Sequence, residues 1–382
     1  MRLHHPGGRL VHLAQGVDVR PAQDADGIVA QLDTSAAAVR AGLDVDVLGL
    51  SLWLPPTLAA ALAVDSRARH RLRTELDARG LEVHTLSGRP YGGSGEPAAE
   101  PDWSTYERLE YTLDLARVLV DLLPDDAVRG SVSTLGLGRR DGWDVPRERA
   151  CARFLSRLSA GLAEVAWQTG RAVRVGFELE PGCLMDTAGN TVAALAGVDS
   201  DRLGVCLDLA NLACTWQEPA TAIEELTAAG LSVVKVQVAA ALEVADPVAA
   251  AGTLRAYAGE HDRHQITNPA GGYADDLDSA LQDALPGPWR MRHHLPLRSD
   301  LPAPLTATTA VWRAALRHLM SGPVPASDQL DLHTGPGDLP TQGEAAPDPA
   351  ALAEGAAGEL AYLRDELAAL GLVPPHRTCA AR

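Results

Sequence analysis

The sequence is poor in aromatic residues and has no cluster of basic ones. Phe, Trp and Tyr make up 4% of the chain, so its core must be built mainly from Leu, Val and Ala. The formal net charge is −17, and the sequence contains no block of Lys or Arg residues. Nucleic acids bind through release of counterions by basic side chains, so this composition argues against a nucleic-acid partner.

Paired cysteines and long apolar runs are also missing. The spacing of the cysteines fits neither a zinc ribbon nor a disulfide framework, which favours a reducing compartment; they are Cys151, Cys183, Cys206, Cys214 and Cys379. The first residues, MRLHHPGGRLVHLAQG, have no apolar centre typical of a signal peptide. No stretch approaches the ~20 apolar residues of a membrane span. We therefore expect a cytoplasmic protein with no membrane-spanning segment.

What the sequence does contain is a repeated alternation of short apolar runs with longer amphipathic segments. This alternation is typical of parallel strands joined by crossover helices. The predicted strands number eight or nine: 9–16, 45–53, 81–88, 130–138, 173–181, 203–211, 232–241, 289–297 and 329–334.

Two of the intervening helices carry clear signals at their ends. Ser104 and Glu107 form a capping-box pattern before a run of Leu and Val at helical spacing. A second helix is predicted from Arg147 to Thr169, where Gly170 would end it. Both patterns indicate amphipathic helices packed on a sheet.

The number of units predicts an α/β fold of the (β/α)8 TIM barrel type with an extra C-terminal helix. No predicted strand is followed by GxGxxG or a Walker loop, which argues against a doubly wound nucleotide-binding sheet. We assign residues 1–340 to the barrel and 341–382 to a linker and a C-terminal helical extension, with the helix near 350–370. Residues 93–101, GSGEPAAEP, predict a loop over one rim.

Polar side chains recur where the predicted strands end. They are Glu178, Glu180, Asp208, Gln237, His293, His294, Asp331 and His333. In a TIM barrel these ends meet at the active-site mouth. Glu178 and Glu180 fall on one face of their strand by the two-residue period, and two buried carboxylates require a shared proton or a cation.

Oxygen and imidazole ligands from several strands suit a divalent metal such as Mn, Co, Zn or Mg. Such an ion polarises a carbonyl or hydroxyl oxygen, while a neighbouring carboxylate removes a proton from carbon. This is the chemistry of sugar isomerases and epimerases, and it predicts a small-molecule metabolite as the partner.

Each of these residues also has a structural interpretation. A carboxylate such as Asp208 at a strand end often caps the next helix, and Gln237 beside Lys235 fits a structural role. His293 and His294 point to opposite faces, so one of them at most faces the barrel axis. Arg89, Lys235 and Arg292 would hold a substrate phosphate or carboxylate, or else form salt bridges. The histidines at 4, 5, 12 and 84 are isolated in sequence and carry no prediction.

Several stretches together resemble the xylose isomerase-like TIM barrels and, within them, the EboE-like metabolite-traffic proteins. They occur in the same order as in that family and cover most of the chain to about residue 340: GLSLWLPP (49–56), GRPYGG (88–93), 101–124, GSVSTLGLG (130–138), FELEPGCLMDT (177–187), GVCLDLAN (204–211), VVKVQVAAAL (233–242), HQ (264–265) and WRMRHHLP (289–296). The resemblance implies a barrel related to sugar phosphate isomerases and epimerases, with a role in handling a secondary metabolite beside partner proteins of that pathway.

The resemblance also implies roles for individual residues. Glu178 occupies the position of a metal ligand or catalytic base, with Glu180 as the second catalytic candidate, and Asp208 occupies that of a metal-binding aspartate. The implied metal ligands are Glu178, Asp208, Gln237, His294 and His333, and the implied substrate-binding residues are Asn211, Arg89 and Lys235.

Two of the departures from the family pattern bear directly on the chemistry. Asn211 stands where the family has a histidine, and an amide cannot shuttle a proton as imidazole does. His333 stands where a glutamate is expected, which shifts metal preference toward Zn, Co or Ni.

Three hypotheses therefore stay open. The first is a metal-dependent isomerase or epimerase of a sugar, polyol or sugar phosphate. The second is a non-catalytic binding or escort protein for metabolite trafficking. The third is a lyase or an endonuclease-IV-like phosphodiesterase. The charge of −17 and the missing histidines argue against the nuclease.

Overall fold

The computed structural model describes residues 1–19, 22–88, 100–258, 264–333 and 349–374. Arg89, most of the predicted loop at 93–101 and the predicted linker at 341–348 lie outside the described residues. The strands are β1 (Arg2–His4), β2 (Leu10–Asp18), β3 (Leu48–Trp53), β4 (Leu81–Ser87), β5 (Arg129–Thr134), β6 (Ala172–Glu178), β7 (Leu203–Asp208), β8 (Val233–Val238), β9 (Ala240–Val244), β10 (Ile266–Thr267), β11 (Tyr273–Ala274), β12 (Trp289–Leu295), β13 (Thr306–Ala307) and β14 (Gln329–Leu332).

Eight of these strands close into a parallel barrel. The order around it is β2, β14, β8, β7, β6, β5, β4 and β3, and β3 returns to pair with β2. The short strand β1 pairs antiparallel with the start of β2 and lies across the N-terminal end of the barrel. The predicted TIM barrel fold is confirmed.

Helices surround the barrel: α1 (Ala25–Leu43), α2 (Pro56–Val64), α3 (Ser66–Ala78), α4 (Tyr106–Leu122), α5 (Val145–Thr169), α6 (Ala188–Ala194), α7 (Leu209–Cys214), α8 (Pro219–Ala228), α9 (Ala251–Ala258), α10 (Leu277–Gln282), α11 (Thr309–Met320) and α12 (Pro349–Ala369). Helix α5 ends as predicted at Gly170, whose φ of 70° suits glycine. The cap of α4 is Thr105 rather than the predicted Ser104, since the Thr105 side chain accepts the Arg108 amide.

A second, antiparallel sheet is inserted between β8 and β14. Its order is β11, β10, β12, β9 and β13. The predicted strand at 289–297 forms β12 of this sheet, so its expected place among the parallel strands is wrong. Its alternating burial shows a half-buried strand, and alternation alone does not identify the sheet to which a strand belongs.

The barrel interior is polar, while the apolar core lies between the barrel and the helices. Register pairs Cys206 with Lys235, Asp208 with Gln237, and Gln237 with Asp331, so these side chains share one face. Hydroxyl groups line the neighbouring strands, at Ser51, Thr85, Ser87, Ser131 and Ser133, all of them buried. The outward side chains of the same strands are Leu, Val and Phe, and they pack against the helices.

The extra C-terminal helix packs as part of the same folded unit. Leu360, Leu363 and Leu367 of α12 belong to the main core, and Glu359 accepts the Leu297 amide. Just beyond the helix, Val373 forms an antiparallel bridge with His4 of β1. In the described part of the chain, no helix has the length and apolar character needed to cross a membrane.

Candidate active site

Asp208 is the last residue of β7 and performs two tasks at once. Its Oδ1 accepts the amides of Ala210 and Asn211 at 2.9 and 3.0 Å, which caps helix α7. Its Oδ2 lies 2.6 Å from Nε2 of His294, which the second sheet brings to the barrel mouth. Asp208 therefore caps α7 and pairs with His294 at the same time.

A second imidazole lies beside this pair. The rings of His294 and His333 are edge-to-face with centroids 4.7 Å apart. Burial opposes ionisation of Asp208, but the charge and hydrogen bond of His294 and the charge of His333 hold its pKa well below the usual range. Burial and the nearby His294 lower the pKa of His333, so this ring is neutral at pH 7. The adjacent His293 stacks instead on His264, at 3.7 Å.

Two buried amide side chains next to Asp208 lack hydrogen-bond partners among the described residues. They are Asn211, through both its amide atoms, and Gln237, through Oε1. Each is at most 1% exposed. A buried polar atom without a partner costs about 1–3 kcal/mol. Such atoms in a cluster of acids and imidazoles are suited to a cation or to the hydroxyl groups of a substrate.

The two predicted catalytic glutamates have different surroundings. Glu178 ends β6 in register with Cys206, and its charge acts on His333 and Cys206, so it belongs to the cluster at the barrel mouth. Glu180 lies beyond the strand, with Oε1 3.5 Å from Nη1 of Arg292 and 3.4 Å from Nε2 of Gln265. Glu180 is thus held by the second sheet and its connecting loop.

Lys235 lies inside the barrel, two residues before Gln237 on β8. Its Nζ is 2.9 Å from Oδ2 of Asp331 and donates to Oγ of Ser51 at 3.1 Å. Side-chain exposure is 0% for Lys235 and 1% for Asp331. The lysine charge is therefore balanced within the protein. Arg89, the other basic residue predicted to bind substrate, lies outside the described residues.

Gly16 on β2 is a site residue that sequence reasoning missed. A Cβ here would lie 3.1 Å from the Leu332 carbonyl, 3.4 Å from Oδ1 of Asp331 and 4.0 Å from Nδ1 of His333. Glycine leaves space beside both polar groups. The signal in the sequence was its place on a strand whose inward positions are polar or small.

The predicted metal ligands carry the types of donor atom that a divalent cation binds. Glu178, Asp208, His294 and His333 offer carboxylate oxygens and imidazole nitrogens, and Gln237 offers an amide oxygen without a partner among the described residues. Among those residues, one group of three or more His, Cys, Asp or Glu has all its ligand atoms within 4.8 Å of one another, and it lies at the opposite end of the barrel. It consists of His12, Glu82 and His84, whose histidines sequence reasoning left aside as isolated.

Two of the cavities in the described part of the chain differ in position. One of about 330 Å³ lies on the rim between the turn after Glu180 and the second sheet, and Gly182, Trp216, Thr267 and Tyr273 help to line it. Another, of about 1050 Å³, lies outside the barrel between α5 and α6. The lining of the rim cavity includes Pro181, the residue after Glu180.

Comparison with solved structures shows the same fold at low sequence identity. A xylose isomerase-like TIM barrel protein from Mycobacterium smegmatis, in complex with magnesium, aligns over 96% of this chain and 94% of its own with 16% identity and a TM-score of 0.52. An Anabaena variabilis protein described as a putative sugar phosphate isomerase/epimerase aligns over 94% and 100%, with 15% identity and a TM-score of 0.52. An L-ribulose 3-epimerase aligns over 96% and 100%, with 14% identity and a TM-score of 0.50.

Sequence comparison leads to the family directly. No curated protein matches the chain. The model of one family, described as xylose isomerase-like TIM barrel, matches residues 35–281, which is more than half of the sequence. The chain therefore belongs to the xylose isomerase-like TIM barrel family.

Proposed function

We propose that this protein is an isomerase or epimerase of a small polyhydroxylated metabolite. The observation that carries the proposal is the Asp208–His294 pair, 2.6 Å long, beside the amide atoms of Asn211 and Oε1 of Gln237, which have no partner among the described residues. An acid–imidazole pair with nearby unsatisfied polar atoms can bind hydroxyl groups and transfer protons among them. Because the pair lies at the carboxyl ends of barrel strands, it occupies the usual position of TIM barrel chemistry.

In this proposal Glu178 moves the proton on carbon. Its charge acts on His333 and Cys206 at the barrel mouth, whereas Glu180 contacts Arg292 and Gln265 of the second sheet and its loop. Asp208 orients the His294 ring through Nε2. Asn211 binds a substrate hydroxyl.

The proposal includes a divalent metal, for which Mn, Co, Zn and Mg are the candidates. Glu178, Asp208, Gln237, His294 and His333 would hold it, and the exchange of a carboxylate for His333 favours Co or Zn over Mg. When bound, such an ion polarises the substrate's carbonyl or hydroxyl oxygen. The protein's own part is to hold the substrate and to move its protons.

An uncharged sugar or polyol is the preferred substrate within this proposal. A phosphate requires cationic donors, but the charge of Lys235 is balanced by Asp331 inside the barrel. The mouth offers amides and imidazoles, which match hydroxyl groups better than a dianion. A sugar phosphate would have to use Arg292 or a residue outside those described, such as Arg89.

Deuterium exchange tests the reaction directly. The protein is incubated in D2O with Mn2+ or Co2+ and a panel of ketoses, aldoses and keto-polyols, and NMR follows deuterium entering the carbon next to the carbonyl. We expect exchange with at least one substrate, and loss of exchange in Glu178→Gln. Glu218→Gln, which alters the cap of α8 rather than the barrel mouth, is the matched control.

A second candidate function is a non-catalytic binding or escort protein of the EboE-like type, acting with partner proteins of a metabolite pathway in the cytoplasm. What favours it is Asn211, a buried amide that binds hydroxyl groups but transfers no proton. Buried cysteines without a disulfide, Cys151, Cys206 and Cys214, are consistent with that compartment. Ligands that raise the Tm but never exchange deuterium would support the escort function and reject the enzyme.

A further inference from the structure

A compact cluster of potential metal ligands occupies the N-terminal end of the barrel, opposite the candidate active site. His12 lies on β2, and Glu82 and His84 lie at the start of β4. One ligand atom from each side chain lies within 4.8 Å of the other two. The two imidazole rings stack with centroids 3.7 Å apart. Three side chains from two strands thus converge on one point.

One nitrogen of each ring is buried without a hydrogen-bond partner among the described residues: Nδ1 of His12 and Nδ1 of His84. Nε2 of His84 faces Oε1 of Glu82 at 3.3 Å, and His84 is 2% exposed. Burial lowers the pKa of His12 to about 2 and also lowers that of His84, so both rings are neutral at pH 7. Neutral imidazole is the form that binds transition metals.

Glu82 is oriented by the guanidinium group of Arg2. The Arg2 guanidinium donates to both carboxylate oxygens, with Nη2 2.8 Å from Oε2. Oε1 lies 3.3 Å from Nε2 of His84 and 3.9 Å from the amine of Met1. Arg2 also pairs with Asp126. A carboxylate positioned in this way can bind a metal through Oε1 and keep Arg2 on Oε2, as outer contacts commonly do around metal ligands.

We propose that His12, Glu82 and His84 form a second metal site, which holds Zn2+ with water as the fourth ligand. Two imidazoles and one carboxylate are a ligand set that Zn2+ accepts, in tetrahedral geometry at about 2.0–2.2 Å. Binding requires the stacked rings to turn so that one nitrogen of each faces the ion. The N-terminal end of a TIM barrel serves stability rather than chemistry. The ion would join β2 to β4 beneath the β1 strand.

Cobalt titration provides the test. To isolate this site, the full-length protein carries Glu178→Gln and Asp208→Asn, is stripped with a chelator, and is titrated with Co2+ alone and then with Zn2+. We expect about one equivalent of Co2+ with the visible bands of tetrahedral coordination, displaced by Zn2+. Added to this background, His12→Gln or His84→Gln should weaken binding at least about 100-fold, beyond the effect of losing an outer contact.

Control variants separate the site from adventitious binding. His70→Gln, on the exposed face of α3, should leave the Co2+ spectrum unchanged. His12→Gln serves as a second variant in case His84→Gln does not fold, because His12 is less buried. Absence of tetrahedral Co2+ in the background protein, or a spectrum that survives both substitutions, would overturn the proposal. Because Glu178 and Asp208 are already replaced, neither outcome depends on the proposed enzyme.

Discussion

The two ends of the barrel use the same residue types and leave them in different states. At the carboxyl end, Asp208 is hydrogen-bonded to His294, so the imidazole serves as the partner of the carboxylate. At the amino end, Arg2 takes that role toward Glu82, and the stacked rings of His12 and His84 keep unpartnered nitrogens within the described residues. Whether a buried histidine transfers protons or offers a lone pair thus depends on which cation pairs with the neighbouring acid.

This difference also predicts different effects of substitutions at the two ends. Among the described residues, the carboxyl end contains unsatisfied amide atoms that a ligand would satisfy, whereas the amino end contains neutral rings that a cation would satisfy. Between the two ends lies the Lys235–Asp331 pair, whose charges cancel inside the barrel. Four changes, in descending order of expected effect, test this arrangement.

Breaking the central ion pair should have the largest effect. Lys235→Met leaves the buried Asp331 without its cation, and removal of one member of such a pair costs about 3–5 kcal/mol. Urea unfolding followed by circular dichroism measures the loss. The double variant Lys235→Met, Asp331→Leu should recover most of it, since no unpaired charge is left. A double variant as unstable as the single one would show that the pair's packing, rather than its charge, matters.

Removing the carboxylate at the mouth should have the next largest effect. Asp208→Asn loses a charge-assisted hydrogen bond to His294, which is worth about 1.5–3 kcal/mol at pH 7. The pKa of Asp208 is lowered in the folded state, so its stabilisation is present above the ordinary value near 3.8 and is lost as pH falls below it. The variant's unfolding free energy should therefore change less than that of the wild type between pH 5 and pH 2. Parallel curves for the two proteins would contradict this.

Acid titration of chelator-treated protein addresses the amino end. His12 titrates near 6.5 when unfolded but only at about 2 when folded, so stability is full above pH 6.5 and falls as pH decreases. The expected slope is about 1.4 kcal/mol per pH unit for each such group. His12→Gln should flatten this slope between pH 6 and pH 4, and denaturant midpoints at several pH values measure it. An unchanged slope would mean that the ring is protonated in the folded protein.

Filling the space beside Asp331 should have the smallest effect on stability. In Gly16→Ala the new methyl group meets the Leu332 carbonyl at 3.1 Å, tighter than an ordinary contact, and overpacking of this kind costs about 1 kcal/mol or more. Because the methyl group also reaches toward His333, it should weaken ligand binding at the mouth and leave Co2+ binding at the amino end unchanged. Equal losses at both ends would indicate a general distortion of the barrel.

The fold was accessible from the sequence because the apolar runs and helix ends follow simple periods. Asp208, Glu178 and Gln237 could be assigned to strand ends, since each follows a buried apolar strand. The strand at 289–297 could not be assigned to its sheet from the sequence, because a half-buried strand has the same alternating pattern in any sheet. The sequence therefore predicted a histidine at the site without predicting that an inserted sheet would supply it.

The amino-end cluster escaped prediction for a different reason. His12 and Glu82 are separated by about seventy residues and meet only because β2 and β4 both border β3 with inward-facing residues at matching heights. A register of this kind follows from strand pairing around the closed barrel, not from local sequence. Counting residues from the start of each strand would have placed both His12 and Glu82 on the inward face, and this is the sequence signal that could have predicted their contact.

The pairing of β12 with β9 is irregular at the two adjacent histidines, His293 and His294. The pairing of β12 with β9 is regular from Trp289 to Met291 and shifts before Leu295, so both histidines lie within the offset. An insertion or deletion of one residue there would exchange the faces of His293 and His294. The number of residues in this part of β12 therefore matters as much as their identity. A one-residue insertion or deletion would place His293 instead of His294 at the barrel mouth without substituting any side chain.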